Sequence, residues 1–402
     1  MVPKGWKLST IDKISNVSSG GTPSRKNDSY WNGHIPWVTT AEVQFKVIED
    51  TAEKITEEGL ASSSAKLFPI DTILMAMYGQ GKTRGQVAKL GIEASTNQAC
   101  AAIILKPGYD VDYYYQFLIS QYENIREMAN SGGQENLSGG IVKSIQVPVP
   151  PLPEQKKIAQ ILSTWDQAIS TTEQLLANSQ QQKKALMQQL LTGKKRLLDK
   201  SGVRFSGEWK IFKFGSLFSE RVEIGRDDLP LLSITADDGV VYQEDTGRKN
   251  TSNEDKSKYR RICVNDIGYN TMRMWQGRSS LSNREGIVSP AYTIVTPNSK
   301  VEPLFAAYLF KFPELVHVFY RHSQGLVSDT WNLKFSHFKK ISWIIPIVEE
   351  QQKIASVLSA ADQEIETLQR KLDCLKQEKK ALMQQLLTGK RRVNIEQKEL
   401  HN

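Results

Sequence analysis

The chain has 402 residues, 39% of them hydrophobic and 24% charged, which is the balance of an ordinary soluble protein with room for two or three cored domains. The formal net charge of +8 is compatible with nucleic-acid binding, although many basic proteins bind none. No stretch reaches 18 apolar residues, no signal-peptide core is present, and the three scattered cysteines form no CxxC, so we expect no membrane span, no export, no disulfide frame and no metal site.

The first predicted domain covers residues 1–149 and has a mixed α+β texture. Short β-rich runs such as DTILMAM and ACAAIILK are separated by glycine, asparagine and serine clusters, as is typical of strands joined by loops. The segment DYYYQFLISQYENIREMA that follows is predicted to be helical.

Two loops of this domain are candidate DNA-binding segments. The first, within SSGGTPSRKNDSYWNGHIPWVTT, offers hydroxyl and cationic donors for phosphates from Thr22, Ser24, Arg25 and Lys26. It could equally be a rigid surface loop pinned by Trp31 and Trp37. The second loop offers the flat ring, amide and cations of Tyr78, Gln80, Lys82, Thr83 and Arg84.

The second loop, AMYGQGKT, also fits a relaxed phosphate-loop pattern. A phosphate loop needs a helix directly after it, but Gly85 and Gly91 would break one here. In the other half of the chain we match Gly81–Thr83 to Gly277–Ser279, where the lysine is replaced by arginine. We therefore interpret this loop as a DNA-binding or plain surface loop, with the corresponding candidates Arg273, Trp275, Gln276, Arg278 and Ser279.

A long helix is predicted in residues 150–197. Apolar residues alternate spacings of four and three, the heptad pattern of a coiled coil. The predicted seam of this first helix contains Ile158, Leu162, Trp165, Ile169, Leu176, Leu186 and Leu190, with Thr172, Ser179 and Lys183 as its polar members. A helix from residue 154 to 191 would be about 57 Å long.

The rest of the chain repeats this organisation. Residues 198–345 form the second predicted α+β domain, residues 346–392 the second helix, and residues 393–402 a tail. The sequence KKALMQQLLTGK occurs at 183–194 and again at 379–390, and 27 of 47 positions agree between 150–196 and 346–392. The domain entries GWKLSTIDKIS and EWKIFKFGSLF also resemble each other. The chain is therefore an internal duplication, for which a pseudo-two-fold arrangement is predicted.

The second helix has the clearer apolar seam. Its residues are Ile354, Leu358, Ala361, Ile365, Leu368, Leu372, Leu375, Leu382 and Leu386, interrupted by Lys379. Each helix could pack on its own domain, or the two could pair as an antiparallel coiled coil, which we favour. The basic clusters at the helix ends, Lys183/Lys184 with Lys194–Arg196 and their repeats, are interpreted either as a solvated face or as a shared protein-docking surface.

The order of a variable domain, PLPEQKKIAQILSTWD, ALMQQLLTGKKR, a second domain, EEQQKIASVLSAAD and ALMQQLLTGKRR resembles the specificity subunit of type I restriction–modification systems. GGTPSRKNDSYWNGHIPWVTTAEV also resembles the opening of one common class of its target-recognition domains. The likeness extends over essentially the whole chain.

Several expectations follow from this resemblance. The chain would be a non-catalytic, cytoplasmic subunit of bacterial or archaeal origin that reads a bipartite double-stranded DNA site, with the helices setting the gap. Two methyltransferase subunits and restriction subunits would dock on it. S-adenosylmethionine, ATP and Mg²⁺ would be bound by those partners and no cofactor by this chain. The alternatives are a specificity module of a related system and a two-headed adaptor without a DNA role.

Overall fold

The computed structural model describes residues 2–79, 82–130, 136–235, 239–247, 252, 254–326 and 330–395. The chain divides into two compact units. The first unit is Met1–Glu173 together with Arg370–Asn402, and the second is Gln174–Gln369. Both long helices cross this division, so each unit contains part of each helix.

The first unit is built from short strands, short helices and the start of one long helix. Its strands are β1 (Lys7–Thr10), β2 (Ser15–Ser19), β3 (Trp31–Val38), β4 (Val47–Ile48), β5 (Glu53–Ile55), β6 (Ile73–Ala76), β7 (Val87–Leu90), β8 (Ser95–Thr96), β9 (Cys100–Leu105) and β10 (Gln146–Val149). Its helices are α1 (Ile11–Ile14), α2 (Glu57–Ala61), α3 (Val111–Ser120), α4 (Tyr122–Asn130), α5 (Gly139–Ser144) and the first part of α6 (Leu152–Leu190).

The second unit has the same kinds of element. Its strands are β11 (Lys210–Lys213), β12 (Phe218–Glu220), β13 (Leu232–Ile234), β14 (Val240–Tyr242), β15 (Arg260–Ile262), β16 (Ile267–Asn270), β17 (Ser279–Leu281), β18 (Gly286–Val288), β19 (Tyr292–Pro297) and β20 (Ser342–Ile345). Its helices are α7 (Pro303–Leu309), α8 (Pro313–His322), α9 (Phe335–Phe338) and the first part of α10 (Val348–Leu386).

The central sheet has the same strand order in both units, apart from the additional edge strand β4 in the first, whereas the smaller sheets differ. The central sheet has the strand order β2-β9-β6-β7-β4 in the first unit and β12-β19-β16-β17 in the second. A separate antiparallel ribbon, β1 with β10 and β11 with β20, joins the domain entry to the strand that precedes the long helix. The predicted fold, two similar α+β domains, is confirmed.

The seam of the long helices is also confirmed. Every predicted seam residue of α6 and α10 is buried or half-buried. In each unit the start of one helix pairs with the end of the other, as the contacts of Asp166 with Lys379 and of Lys183 with Asp362 show. The pairing is therefore antiparallel.

The two packing alternatives for the helices both hold, at different places. Ile158, Leu162 and Leu386 belong to the main hydrophobic core of the first unit. Leu190, Ile354 and Leu358 belong to that of the second. Each helix thus enters a domain core at its ends and pairs with the other helix along its length, which removes the apolar stripe from water.

Candidate nucleic-acid interface and helix junctions

The candidate loop of the first unit connects β6 to β7, two antiparallel strands of the central sheet. Tyr78 and Lys82 are exposed, and Thr83 and Arg84 are half-buried, whereas Gln80 lies outside the described residues. The element that follows is the strand β7, so no helix begins directly after this loop. The phosphate-loop alternative therefore lacks its essential geometry.

The candidate loop of the second unit connects β16 to β17 and occupies the same position in the sheet. Arg273, Gln276 and Arg278 are exposed. The Trp275 ring packs edge-on against Trp331, with 5.3 Å between ring centroids. A helix supports each loop: the Tyr122 hydroxyl of α4 donates to the Lys82 carbonyl, and α8 contributes Tyr320, whose ring packs on Trp331.

Ser279 does not suit the role predicted for it. It lies within β17 opposite Tyr269, and only 3% of its surface is exposed. Its position in the paired strand directs the side chain away from solvent, so a DNA contact from this residue is not supported.

The predicted match of Gly81–Thr83 to Gly277–Ser279 is wrong. Backbone pairing shows the true equivalence, because the Ala76 amide donates to the Gln86 carbonyl at 2.9 Å and the Asn270 amide to the Arg278 carbonyl at 3.0 Å. Gly85 therefore corresponds to Gly277, and both have positive φ, +85° and +75°. The first loop has two additional residues, which shifts the correspondence.

The first candidate segment, around residues 18–40, is held firmly against its own domain. The Trp37 indole donates to the Gly21 carbonyl at 3.0 Å and the Trp31 indole to the Ser24 carbonyl at 3.2 Å. An added Cβ at Gly20 would lie 1.9 Å from the Thr96 carbonyl oxygen. The glycines thus serve close packing within the domain, and the surface-loop alternative describes this segment well.

The predicted contacts in this segment are partly occupied. Arg25 makes a two-point ion pair with Glu53, and its guanidinium lies 3.7 Å from the centre of the Trp31 ring. Hydrogen bonding to Arg25 holds the pKa of Glu53 below its usual range. The Thr22 hydroxyl donates to Gln98, while Lys26 is exposed.

Sequence reasoning missed a repeated junction between each domain and the helices. In the first unit, the buried Glu154 carboxylate accepts from the Trp6 indole at 2.9 Å and from Arg392 at 3.0 Å. In the second unit, Glu350 accepts from Arg196 at 2.6 Å and from the Trp209 indole at 3.3 Å.

A second repeated contact lies about three turns further along each helix. Asp166 accepts from Lys379 and from Gln116 of α3, both at 2.6 Å. The corresponding Asp362 accepts from Lys183, and from Tyr308 of α7 at 2.6 Å. Burial and the Asp362 carboxylate raise the pKa of Tyr308, so its phenol stays protonated and donates.

A third repeated contact uses a buried glutamine. The Gln155 and Gln351 side chains each accept an amide hydrogen bond at 2.9 Å, from Asp110 and Glu302 respectively. Each also donates to a proline carbonyl five residues upstream at 2.8 Å. The identity of both glutamines in the repeat was the signal that could have identified these junctions.

These junctions revise the view of the basic clusters at the helix ends. Lys183, Lys379, Arg196 and Arg392 are all engaged inside the units. The predicted seam residues are also buried or half-buried, because the two helices pack on each other and on the domain cores. A docking partner would have to use other residues, such as the exposed lysines at 184 and 380.

Among the described residues, no helix combines the length and apolar character needed to cross a bilayer. The same residues contain no group of three or more histidine, cysteine or acidic side chains arranged to hold a metal ion.

The family model of the type I restriction modification DNA specificity domain matches residues 3–178 and again residues 208–377. The two matches cover most of the chain and follow the duplication. The chain belongs to this family, whose name agrees with the prediction of a recognition subunit rather than an enzyme.

Individual relatives agree with this assignment. The chain is 34% identical over 173 residues to the MjaIX specificity subunit of Methanocaldococcus jannaschii. This matched segment is 42% of this chain and only 39% of that protein. It is 23% identical to the putative MjaX specificity subunit of the same organism, over 98% of this chain and 95% of that one. The fold is similar to the crystal structure of the type I restriction–modification system S subunit from M. genitalium, with a TM-score of 0.60, 14% identity and coverage of 98% of this chain and 97% of that one.

Proposed function

We propose that this chain is the DNA-specificity subunit of a type I restriction–modification complex and that each unit reads one half of a bipartite double-stranded site. The observation that carries the proposal is the contrast between the two repeats. The same sheet presents a hairpin loop in both units, but the loop side chains differ. Two domains with one fold and different loops suit two half-sites of different sequence.

The antiparallel helices suit the role of a spacer. Each is 39 residues long, about 58 Å at 1.5 Å per residue. Half-sites about one turn of the duplex apart are what such a reader can reach.

The partners follow from the same proposal. Two methyltransferase subunits would dock on the repeated helices, because two copies of one partner need two equivalent surfaces. Restriction subunits would join them. S-adenosylmethionine, ATP and Mg²⁺ would then be bound by the partners, and the chain itself would act in the cytoplasm without a cofactor.

The decisive test is genome-wide methylation mapping by single-molecule sequencing in host cells with and without this reading frame. We expect one bipartite motif with an unspecific gap to lose its methylation. Replacing residues 1–149 by the corresponding domain of a relative should change one half of that motif only. If methylation is unchanged while the neighbouring methyltransferase is active, the proposal fails.

A binding assay on the assembled complex separates DNA reading from an adaptor role. Alanine at Lys82, Arg84, Arg273 and Arg278 together should weaken DNA binding by the complex, since these side chains lie on or beside the two loops. Unchanged binding, with the subunits still assembled, would favour the adaptor.

A further inference from the structure

The second unit contains a cleft beside its hairpin loop. The cleft has a volume of about 350 Å³ and is lined by Ile234, Thr235, Asn270, Arg273, Gln276, Arg278 and Tyr292. The Tyr292 hydroxyl donates to the Ile234 carbonyl at 3.3 Å, which fixes this aromatic ring in the lining. The lining also carries the guanidinium groups of Arg273 and Arg278 and the amides of Asn270 and Gln276. This combination of an aromatic ring and planar donors fits the edge of a nucleobase.

Within the residues that the structure describes, Arg278 lacks the ion pair that several other arginines of the second unit make. Arg221 pairs with Asp266 at 2.7 Å, Arg260 with Glu220 at 2.8 Å and Arg261 with Glu285 at 2.6 Å. Arg278 is exposed and makes no ion pair with any residue in the described part of the chain. Its backbone is held between strands by the Asn270 amide. The Arg278 side chain thus starts from a fixed backbone position and lines the cleft, and no carboxylate among the described residues neutralises its charge.

The first unit has a different side chain at this position. Gln86 occupies the place of Arg278, because both carbonyls accept the amide that ends the preceding strand. Ala76 and the buried Cys100 stand where the second unit has Asn270 and Tyr292, by the register of the paired strands. The two units therefore present different chemistry from one structural position, as two different half-sites require.

We propose that Arg278 is a specificity-determining residue that reads a guanine in the half-site of the second unit. This inference rests on the proposed DNA-reading function. Guanine offers N7 and O6 as paired acceptors in the major groove, and an arginine fork bonds to both. Glutamine at the same position, as in Gln86, matches the N6 and N7 atoms of adenine instead.

The test uses the assembled complex with the wild-type chain and the variants Arg278→Lys and Arg278→Gln. Arg204→Gln is the matched control, because Arg204 is an exposed arginine of the same unit outside the cleft. Binding is measured on duplexes in which each position of the second half-site is substituted in turn, and the methylated motif is mapped in cells. Urea unfolding checks that each variant is folded.

We expect both Arg278 variants to lose discrimination at one guanine position by roughly 5- to 150-fold and to keep the rest of the motif. Arg278→Gln should move the preference at that position towards adenine, and Arg204→Gln should leave the motif unchanged. Arg278→Lys keeps the charge, so it isolates loss of the two-point contact.

Two results would overturn the inference. Equal weakening on all sequences, with an unchanged motif, would show that Arg278 contacts phosphate. Unchanged affinity and motif would show that it contacts nothing. If exchange of residues 1–149 still changes the first half of the motif in either case, the proposed function stands and only this inference is lost.

Discussion

The two units differ in their loops and agree in their helix junctions. At the junctions a glutamate, an aspartate and a glutamine recur at the same repeat positions and make equivalent contacts, as Glu154 and Glu350 illustrate. At the hairpins the strand pairing and one glycine recur, since Gly85 corresponds to Gly277, but Gln86 stands where the second unit has Arg278. The proposed function accounts for this contrast, since equivalent helices would bind two copies of one partner and different loops would read two different half-sites.

The largest expected effect tests whether the two junctions are equally strong. Glu350 is 1% exposed and its partner Arg196 is 21% exposed, against 5% and 41% for Glu154 and Arg392. Removing one partner of a buried pair costs about 3–5 kcal/mol, so Glu350→Ala should lower the free energy of unfolding by about that amount. Glu154→Ala should cost about 2 kcal/mol, because the exposed Arg392 regains water.

Urea unfolding followed by circular dichroism measures both losses. The exposed neighbour Glu349 provides the control, and Glu349→Ala should change stability by less than about 0.5 kcal/mol. Equal losses at Glu154 and Glu350 would show that arginine exposure does not set the cost.

The ion pair of Asp166 with Lys379 tests the second repeated contact. Asp166→Leu leaves the buried lysine without its carboxylate and should cost about 2–3 kcal/mol. Lys379→Leu extends the apolar seam and should change stability by less than about 1 kcal/mol, because the half-exposed Asp166 keeps its bond to Gln116. Thermal or urea unfolding measures the stability of both variants. A larger loss for Lys379→Leu than for Asp166→Leu would contradict this account.

The left-handed glycine that the two hairpins share, Gly85 in the first and Gly277 in the second, can be tested by substitution in the second unit. Gly277 has a φ of +75°, and an added Cβ would lie 3.1 Å from Val316. Gly277→Ala should therefore cost somewhat more than the ~1–2 kcal/mol of a left-handed alanine. Gly225 has a φ of +74° and open space around it, so Gly225→Ala should show the backbone cost alone. Equal losses of stability in the two variants would show that the contact with Val316 adds nothing to the cost at Gly277.

The smallest effect concerns two of the three cysteines, one in a hydrophobic core and one on a helix surface. Burial raises the pKa of the Cys100 thiol from 9.0 to about 12, whereas Cys374 is exposed on α10. At pH 8 a thiol reagent should label Cys374 in the native protein and Cys100 only after unfolding. Because Cys263 is half-buried, the experiment uses a Cys263→Ser background, in which Cys374→Ser should abolish the fast labelling phase. Rapid labelling of Cys100 would contradict its buried position.

The raised pKa of Cys100 also determines how alkaline pH changes the free energy of unfolding. The folded state of Cys100 holds its proton more tightly than the unfolded state, whose pKa is near 9.0. The resulting stability is present below pH 9 and is lost as the pH rises towards 12. Cys100→Ala should flatten that part of the stability profile.

The sequence alone predicted the features that depend on local periodicity and on repetition. The heptad spacing of residues such as Leu358 and Leu372 predicted paired helices, and the repeated domain entries predicted one fold twice. Lys379, which interrupts the seam, was visible as an exception. Its partner Asp166 lies 213 positions away, and no periodic pattern connects the two.

The site residues were harder to predict because their environment comes from distant segments. Ser279 is polar, but the strand register buries it. Arg25 is basic, but Glu53 of strand β5 neutralises it. The two hairpin loops differ in length by two residues, so the sequence comparison aligned Gly81 with Gly277, whereas the structure aligns Gly85 with Gly277. Repeat identity at Glu154 and Gln155 would have been the better guide to functional contacts inside the chain.

The composition of the units has a consequence for the order of folding during translation. The second unit is the continuous segment Gln174–Gln369, whereas the first needs Arg370–Asn402 to close. The ribosome therefore finishes the second unit while the first still lacks Lys379 and Arg392. Until those residues emerge, the Glu154 carboxylate has no cation and the Ile158–Leu162 surface has no covering helix. The domain that is synthesised first is thus the last to be completed.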